Sequence, residues 1–529
     1  MERLSGLDAS FIYMETPTMR MQVAFLVICD PANTPGGYSF RKIVDLIDER
    51  TRSEPAFRRR LVEIPYNLHH PIWVDDPEFN IMNHVYQYTL PQPGSLRDLG
   101  KKLGHVISQP LRRDCPLWEA WVIEGLEGGR YALMLKVHHA AVDGVSGTAL
   151  IRHLFDPTPE VRHLPDTRTH CGERIPTRSE LIAFAMGSRV VRPRGFFELV
   201  KDSATVAVRT FLKRQNLGEI RRSAPLSAPR THFNRRIGPH RDVALVRMPL
   251  SEIKAVKNAT NATVNDVVLA LCGGVLRDYL HSKDDLPQKS LISMVPISVR
   301  TEEKSRMTNN QVSGMWATLA THVEDPMERL RIINADTEAA KRAMNPVNAG
   351  LLQDWAEYNT LGAFNLAVRL FASSGLVDRV TPVHNTIISN VPGPREPLYL
   401  AGSRIETLVP LGPVMEGVGL NISLASYENT VCFSIQADSS LIEDVGEIGA
   451  LFEPAFLHLK EAAGLLPAGA ARAARAAGST DKTPTKAKAA SVNGASVNGA
   501  TGNSASAKGS AAVKGAARKK SNGAARPQA

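Results

Sequence analysis

The 529-residue chain is 43% hydrophobic, long enough for two packed domains and a sizeable core. Its formal charge of +10 is confined to one end: from Leu466 onward eleven basic residues face the single acid Asp481, which leaves residues 1–465 formally neutral. That distribution removes the global basic footprint of a nucleic-acid-binding protein, so no specific nucleic-acid partner is expected. Five cysteines (Cys29, Cys115, Cys171, Cys272 and Cys432) are odd in number, scattered and never in a C-x-x-C arrangement. They argue against a disulfide framework or zinc site and fit a reducing, cytoplasmic compartment. Met1 to Asp8 has neither the charged start nor the apolar run of a secretory signal. No apolar stretch reaches the ~18 residues of a spanning helix, so any membrane contact is expected to be peripheral.

Along the chain, helix-like and strand-like segments alternate on both sides of a different middle piece, which predicts a mixed α/β fold. The expected divisions are a first domain over 1–165, a connector over 166–234, a second domain over 235–465 and a tail over 466–529. In the first domain His69-His70 precedes Pro71 and Trp73 with no acidic turn behind it, and reads as a packing or loop element.

Tyr131 to His139 is the strand of most chemical interest. Period-two alternation places Tyr131, Leu133, Leu135, Val137 and His139 on one apolar face. Ala132, Met134, Lys136 and His138 form the other, which includes a charge and is expected to be less deeply buried. His139 closes the apolar face where the chain turns through Ala140-Ala141-Val142-Asp143-Gly144. Partial desolvation there keeps an imidazole neutral near pH 7, the state a general base requires. Adjacent side chains on a strand diverge, so one histidine should dominate. The same divergence makes the pair poor metal co-ligands, and no H-E-x-x-H or cysteine cluster accompanies it, so no metal is expected. Taken alone, a buried histidine pair is also a common hydrogen-bonded structural feature.

The connector mixes Arg189, Arg192, Arg194, Lys201, Arg209, Lys213, Arg214, Arg221 and Arg222 with Val190, Phe196, Phe197, Leu199, Phe211 and Leu212. This basic amphipathic pattern suits an ordinary surface helix or one lying on lipid. In the second domain a helix is expected over Thr263 to Leu280 and a strand over Leu291 to Val295, with Asn265 placed where it can cap the helix. Gly393, between Pro392 and Pro394, is expected to shape a turn. The tail, rich in Ala, Gly, Ser, Lys and Asn and without an aromatic, cannot bury a core and is expected to be disordered. No G-x-S-x-G elbow, Walker loop or G-x-G-x-x-G is present.

His138-His139-x-x-x-Asp143-Gly144 is the HHxxxDG motif shared by CoA-dependent acyltransferases and the condensation domains of peptide synthetases. Leu4-Ser5-Gly6-Leu7-Asp8-Ala9, Pro116-Leu117-Trp118-Glu119, Asn265-Asp266-Val267-Val268, Val295-Pro296-Ile297-Ser298-Val299-Arg300 and Ser389-Asn390-Val391-Pro392-Gly393-Pro394 accompany it. Together they resemble the bacterial wax ester synthase/diacylglycerol acyltransferase family from residue 4 to about 460, with Ile297 in place of the commoner Val. The resemblance implies two chloramphenicol-acetyltransferase-like domains with a tunnel between them. Acyl-CoA would enter as a substrate, with no cofactor, and diacylglycerol or a long-chain alcohol would be the acceptor. It further implies His139 as base beside His138, Asp143 and Gly144 as orienting or structural residues with Arg300 as the ion-pair partner of Asp143, and Asn265 as a group positioning the thioester carbonyl. Peripheral association with a membrane or lipid storage body fits such substrates. The remaining readings are a free-standing condensation-type acyltransferase with another acceptor and a non-catalytic lipid-surface protein.

Overall fold

Two six-stranded sheets carry the architecture, each with helices on its flanks. The computed structural model describes residues 2–141, 147–164, 172–187, 227–298, 312–343, 370, 374–467 and 469. In the first sheet the order is Tyr399–Leu400, Ser403–Leu411, Gln22–Asp30, Arg130–His138, Trp118–Leu126 and Val85–Thr89. Neighbours are antiparallel except the last pair. In the second the order is Val312–Thr318, Ile292–Ser298, Thr386–Pro392, Leu420–Tyr427, Thr430–Asp438 and Arg241–Pro249, with Thr386–Pro392 parallel to both neighbours. A small sheet joins Glu2–Arg3, Ile72–Asp75 and Arg59–Val62. The mixed α/β expectation is met, and both sheets lie in one compact unit, Met1–Gly478. Ser403–Leu411, from the later half of the sequence, crosses over to pair with Gln22–Asp30.

Arg130–His138 lies inside its sheet, between Gln22–Asp30 and Trp118–Leu126. Tyr131, Leu133, Leu135 and Val137 pack with Ile43, Val44 and Ile47 of the helix Phe40–Thr51. The opposite face differs from the expectation: Ala132, Met134, Lys136 and His138 are all fully buried. Ala132 and Met134 join Leu99, Leu103 and Val106 of the helix Leu96–Ser108 in a second apolar layer, so the sheet is covered on both sides. Lys136 is accommodated there by an ion pair to Glu119 Oε2 at 2.9 Å. It also donates to the carbonyls of Val106 and Gln109 at 3.1 and 3.2 Å, at the partly negative C-terminus of that helix. Burial holds the Lys136 ammonium below its usual pKa against the pull of Glu119.

Leu96–Ser108 begins at a capping box of Ser95 and Asp98 and rests directly on the edge of the second sheet. A Cβ on Gly100 would lie 2.2 Å from the Val243 carbonyl oxygen, and one on Gly104 would lie 2.5 Å from that of Arg241. Glycine at both positions is therefore what lets the helix touch backbone.

In the second half the helix Val264–Ser282 and the strand Ile292–Ser298 match the sequence expectation. Residues Val267 to Leu276 of this helix are buried against the sheet. No single helix among the described residues is long and apolar enough to cross a membrane. Cys29, Cys115, Cys272 and Cys432 are buried free thiols, and Cys171 lies outside the described residues. The basic run of the connector and the tail beyond Gly469 also lie outside them.

Candidate active site

The strand ends at His138, and His139 opens a 3₁₀ turn over His139–Ala141. Two backbone bonds hold this junction. His138 N–H donates to the Leu117 carbonyl and His139 N–H to the Met21 carbonyl, each at 2.9 Å. The rings then diverge into different surroundings.

His138 is tied through one ring nitrogen. Its Nδ1 accepts from Ala140 N–H at 3.1 Å, which puts the proton of the neutral ring on Nε2. That nitrogen faces Glu15 Oε2 at 3.7 Å, and Arg113 pairs with the same carboxylate oxygen. Burial pushes the His138 pKa down, opposed by Glu15. Burial alone would raise the Glu15 carboxyl, but the facing His138 ring and the paired Arg113 guanidinium hold it below the usual range.

His139 is different. Its ring stacks on Phe11 with centroids 4.0 Å apart and planes at 24°. Neither ring nitrogen is bonded to another described residue, and Nδ1 is buried without a partner among them. The residue itself is only partly buried. Its pKa is pushed down to about 4, first by burial and then by the neighbouring His138 ring. At neutral pH it is an uncharged imidazole with no bond to another described residue, the condition for accepting a proton.

The surrounding motifs act as supports for this turn. Ser5 Oγ accepts from Asp8 N–H at 3.1 Å and caps the helix Gly6–Met14. That helix packs through Ala9 against Ala140 and Leu117 and carries Phe11 to His139. In Pro116-Leu117-Trp118-Glu119, Leu117 holds the His138 amide, Trp118 Nε1 donates to the Phe57 carbonyl at 3.0 Å, and Glu119 neutralises Lys136. Phe11, Glu15 and Arg113 were not anticipated. The only signal was the helix cap just upstream of Phe11, since contacts that bridge about a hundred residues leave no local pattern.

The other sequence candidates fall in separate places. Asn265 is partly exposed in the first turn of Val264–Ser282, but the cap is Thr263, paired with Asp266 in a capping box. The capping role suggested for Asn265 is therefore corrected: the polar residue two positions earlier already has the extended backbone that a cap needs. Asp266 is a buried tie, accepting from Thr337 Oγ1 at 2.7 Å and Asn334 Nδ2 at 2.9 Å. Gly393 follows the strand Thr386–Pro392, where a Cβ would lie 2.1 Å from the Ser426 carbonyl oxygen. Close approach of neighbouring backbone, rather than a positive φ, requires glycine there. Asp143, Gly144 and Arg300 lie outside the described residues. No cluster of metal-binding side chains occurs among the described residues.

Residues 4–268 match the wax ester synthase/diacylglycerol acyltransferase catalytic domain and residues 308–460 the WS/DGAT C-terminal domain. A Mycobacterium tuberculosis protein named as a diacylglycerol O-acyltransferase is 36% identical over 472 residues, 89% of this chain and 92% of the relative. A Mycobacterium bovis protein named in the same way is 32% identical over 467 residues, 88% of this chain and 100% of the relative. Among solved structures, the wax ester synthase/diacylglycerol acyltransferase from Marinobacter aquaeolei VT8 aligns with a TM-score of 0.63 and 28% identity, covering 88% of this chain and 100% of that one. A trichothecene 15-O-acetyltransferase from Fusarium sporotrichioides shares the fold, with a TM-score of 0.52 at 11% identity over 87% of this chain and 94% of its own.

Proposed function

The chain belongs to the wax ester synthase/diacylglycerol acyltransferase family of acyltransferases, and from that premise we propose that it moves a long-chain acyl group from acyl-CoA to the hydroxyl of a diacylglycerol or long-chain alcohol, with His139 as general base. The observation that carries this reading is the contrast between the two histidines. His138 Nδ1 is spent on the Ala140 amide and its Nε2 faces the Glu15 carboxylate at 3.7 Å, whereas the His139 ring is neutral, partly accessible and bonded to no other described residue, beside an apolar aromatic.

In the proposed step a ring nitrogen of His139 takes the acceptor's hydroxyl proton as the oxygen attacks the thioester carbonyl carbon. The C–S bond then breaks, and the CoA thiolate leaves with that proton. The thioester is already activated, so no acyl-protein intermediate and no cofactor are required. His138 orients the turn through Ala140 rather than meeting substrate. Asp143, Gly144 and Arg300 are assigned orienting roles by family resemblance, and Asn265 a role in holding the thioester carbonyl.

The test is steady-state kinetics with labelled palmitoyl-CoA and either diacylglycerol or hexadecanol. Labelled triacylglycerol or wax ester should form, with intersecting double-reciprocal lines, because both substrates are bound before reaction. Parallel lines, or an acyl-protein adduct trapped with acyl-CoA alone, would overturn the direct-transfer mechanism.

A further inference from the structure

Leu376, Val380 and Val383 stand 47%, 45% and 42% exposed within eight residues of sequence, on a segment that starts with the 3₁₀ turn Leu376–Asp378. Val380 N–H donates to the Leu376 carbonyl at 2.9 Å, so these two side chains lie one helical turn apart on the same side. Scattered single exposed apolar residues are ordinary, but Leu376 and Val380 share one side of a turn and exposed Val383 follows three residues on, which together form an apolar ridge of the kind that marks an interaction surface. This ridge is held rigidly. Arg230 donates to the carbonyls of Val377 and Val380, Arg236 N–H donates to Asp378 Oδ1 at 3.0 Å, and Val377 is buried beneath.

Its rim is basic. Arg235, Arg236 and Arg379 are exposed, and none of them forms an ion pair among the described residues. Asp378 is the one acid between Ser374 and Val383, and none occurs between Ser227 and Arg236. Asp285 and Glu416 also pack here, bonded to the amides of His232 and Ile237. Exposed aliphatic side chains beside exposed arginines complement a layer with an apolar interior and an anionic surface, where the side chains insert and the arginines meet headgroup oxygens.

Beneath the ridge the packing leads to the reacting histidine. A Cβ on Gly417 would lie 3.3 Å from Val377 Cγ1. Two to three residues before Gly417, Val414 and Met415 belong to an apolar cluster with Met19, Met21 and Phe11. Phe11 stacks on His139, and the Met21 carbonyl holds its amide. Unbranched methionines adapt their shape to flexible apolar chains better than branched side chains do.

We propose that residues 376–383, with Arg235, Arg236 and Arg379, form the face by which this chain docks on an anionic lipid surface. The docking does not rest on the acyltransferase reading above, and it is tested without catalysis. The full chain is sedimented with vesicles of equal parts phosphatidylcholine and phosphatidylglycerol, and with vesicles of phosphatidylcholine alone. Wild type should bind the anionic vesicles more tightly than the neutral ones. The combined variant Leu376→Ser, Val380→Ser, Val383→Ser should bind at least about tenfold more weakly, since apolar insertion supplies most of such an attachment. Arg235→Glu with Arg236→Glu should reduce the anionic preference without weakening binding to neutral vesicles, the preference that remains coming from the basic tail beyond Leu466; an anionic preference equal to wild type would overturn the role of these arginines. All three serine sites are exposed, and an unchanged near-ultraviolet circular dichroism spectrum checks that the variant is folded. A folded serine variant that binds like wild type, equal binding to both vesicle types, or a wild type that pairs with itself through the ridge and ignores vesicles would each overturn the proposal. If vesicle binding behaves as expected but wild type forms no ester from palmitoyl-CoA in detergent, the acyltransferase reading fails and the docking face stands.

Discussion

The chain contains two adjacent-histidine pairs, and one helix, Gly6–Met14, touches both. At the first, Tyr13 Oη and His70 Nδ1 are hydrogen-bonded at 2.9 Å, and His69 Nε2 lies 3.3 Å from Arg3 Nη1. Both of these rings are buried and tied into the packing of the small sheet and its neighbours. At the second pair only His138 is tied, while His139 stacks on Phe11 and keeps its nitrogens unbonded to other described residues. The sequence pattern is therefore shared by the two pairs, and three of the four rings are buried. What separates them is that His139 alone of the four has neither ring nitrogen bonded to another described residue, at a place where the chain turns out of a sheet.

The largest effect that would break this comparison is on turnover. His139→Ala should lower kcat/KM by ~10²- to 10⁴-fold, the usual contribution of a positioned base. A folded His139→Ala protein with activity near wild type would return the second pair to the same status as the first.

His138→Ala should cost less activity but more stability. It leaves the Ala140 N–H without its acceptor and the Glu15–Arg113 pair without its third member, a loss of about 1–3 kcal/mol that a denaturant titration measures. An unaltered unfolding midpoint would show that His138 does not hold the turn.

The pH profile sharpens the assignment. A base works while unprotonated, so activity should fall as pH drops through the pKa of His139, near 4. It should not fall near 6.5, the ordinary histidine value. His139 and His384 are both depressed to about 4. Between pH 6.5 and 4 the unfolded chain therefore binds more protons than the folded one, and stability should rise with pH across that window. Melting temperatures taken over the same range check the sign, and the slope should be shallower in His139→Ala.

The smallest expected effect lies at the first pair. Tyr13→Phe removes one buried hydrogen bond to His70 and should cost about 1 kcal/mol of stability with no specific loss of rate. A rate loss as large as that of His138→Ala would tie the first pair to the chemistry.

Much of this was legible from local pattern. The strand through Val137, the start of the turn after it and the helix from Val264 follow from periodicity and turn residues, while His139 stands out through its place at the strand end and the resemblance of its motif. The depth of the Lys136 face was not legible, because its neutralisation comes from Glu119 and from carbonyls of a helix that precedes it by about thirty residues. The choice of Thr263 over Asn265 as cap turns on one backbone dihedral. Phe11, Glu15 and Arg113 reach the histidines only through tertiary packing, to which composition and spacing are blind.

The crossover strand also constrains how the protein is born. Ser403–Leu411 pairs with Gln22–Asp30, next to the strand that carries His138. During synthesis the early sheet must wait, one neighbour short and with Gln22–Asp30 as an open edge, until the ribosome has passed Leu411. An open edge invites pairing with other nascent chains. Closing it over so long a sequence separation is intrinsically slow. A fragment ending before Ser403 would therefore retain both histidines yet emerge as a sticky, unfinished half, and two separately expressed halves would have to find each other before either sheet had its full complement of strands.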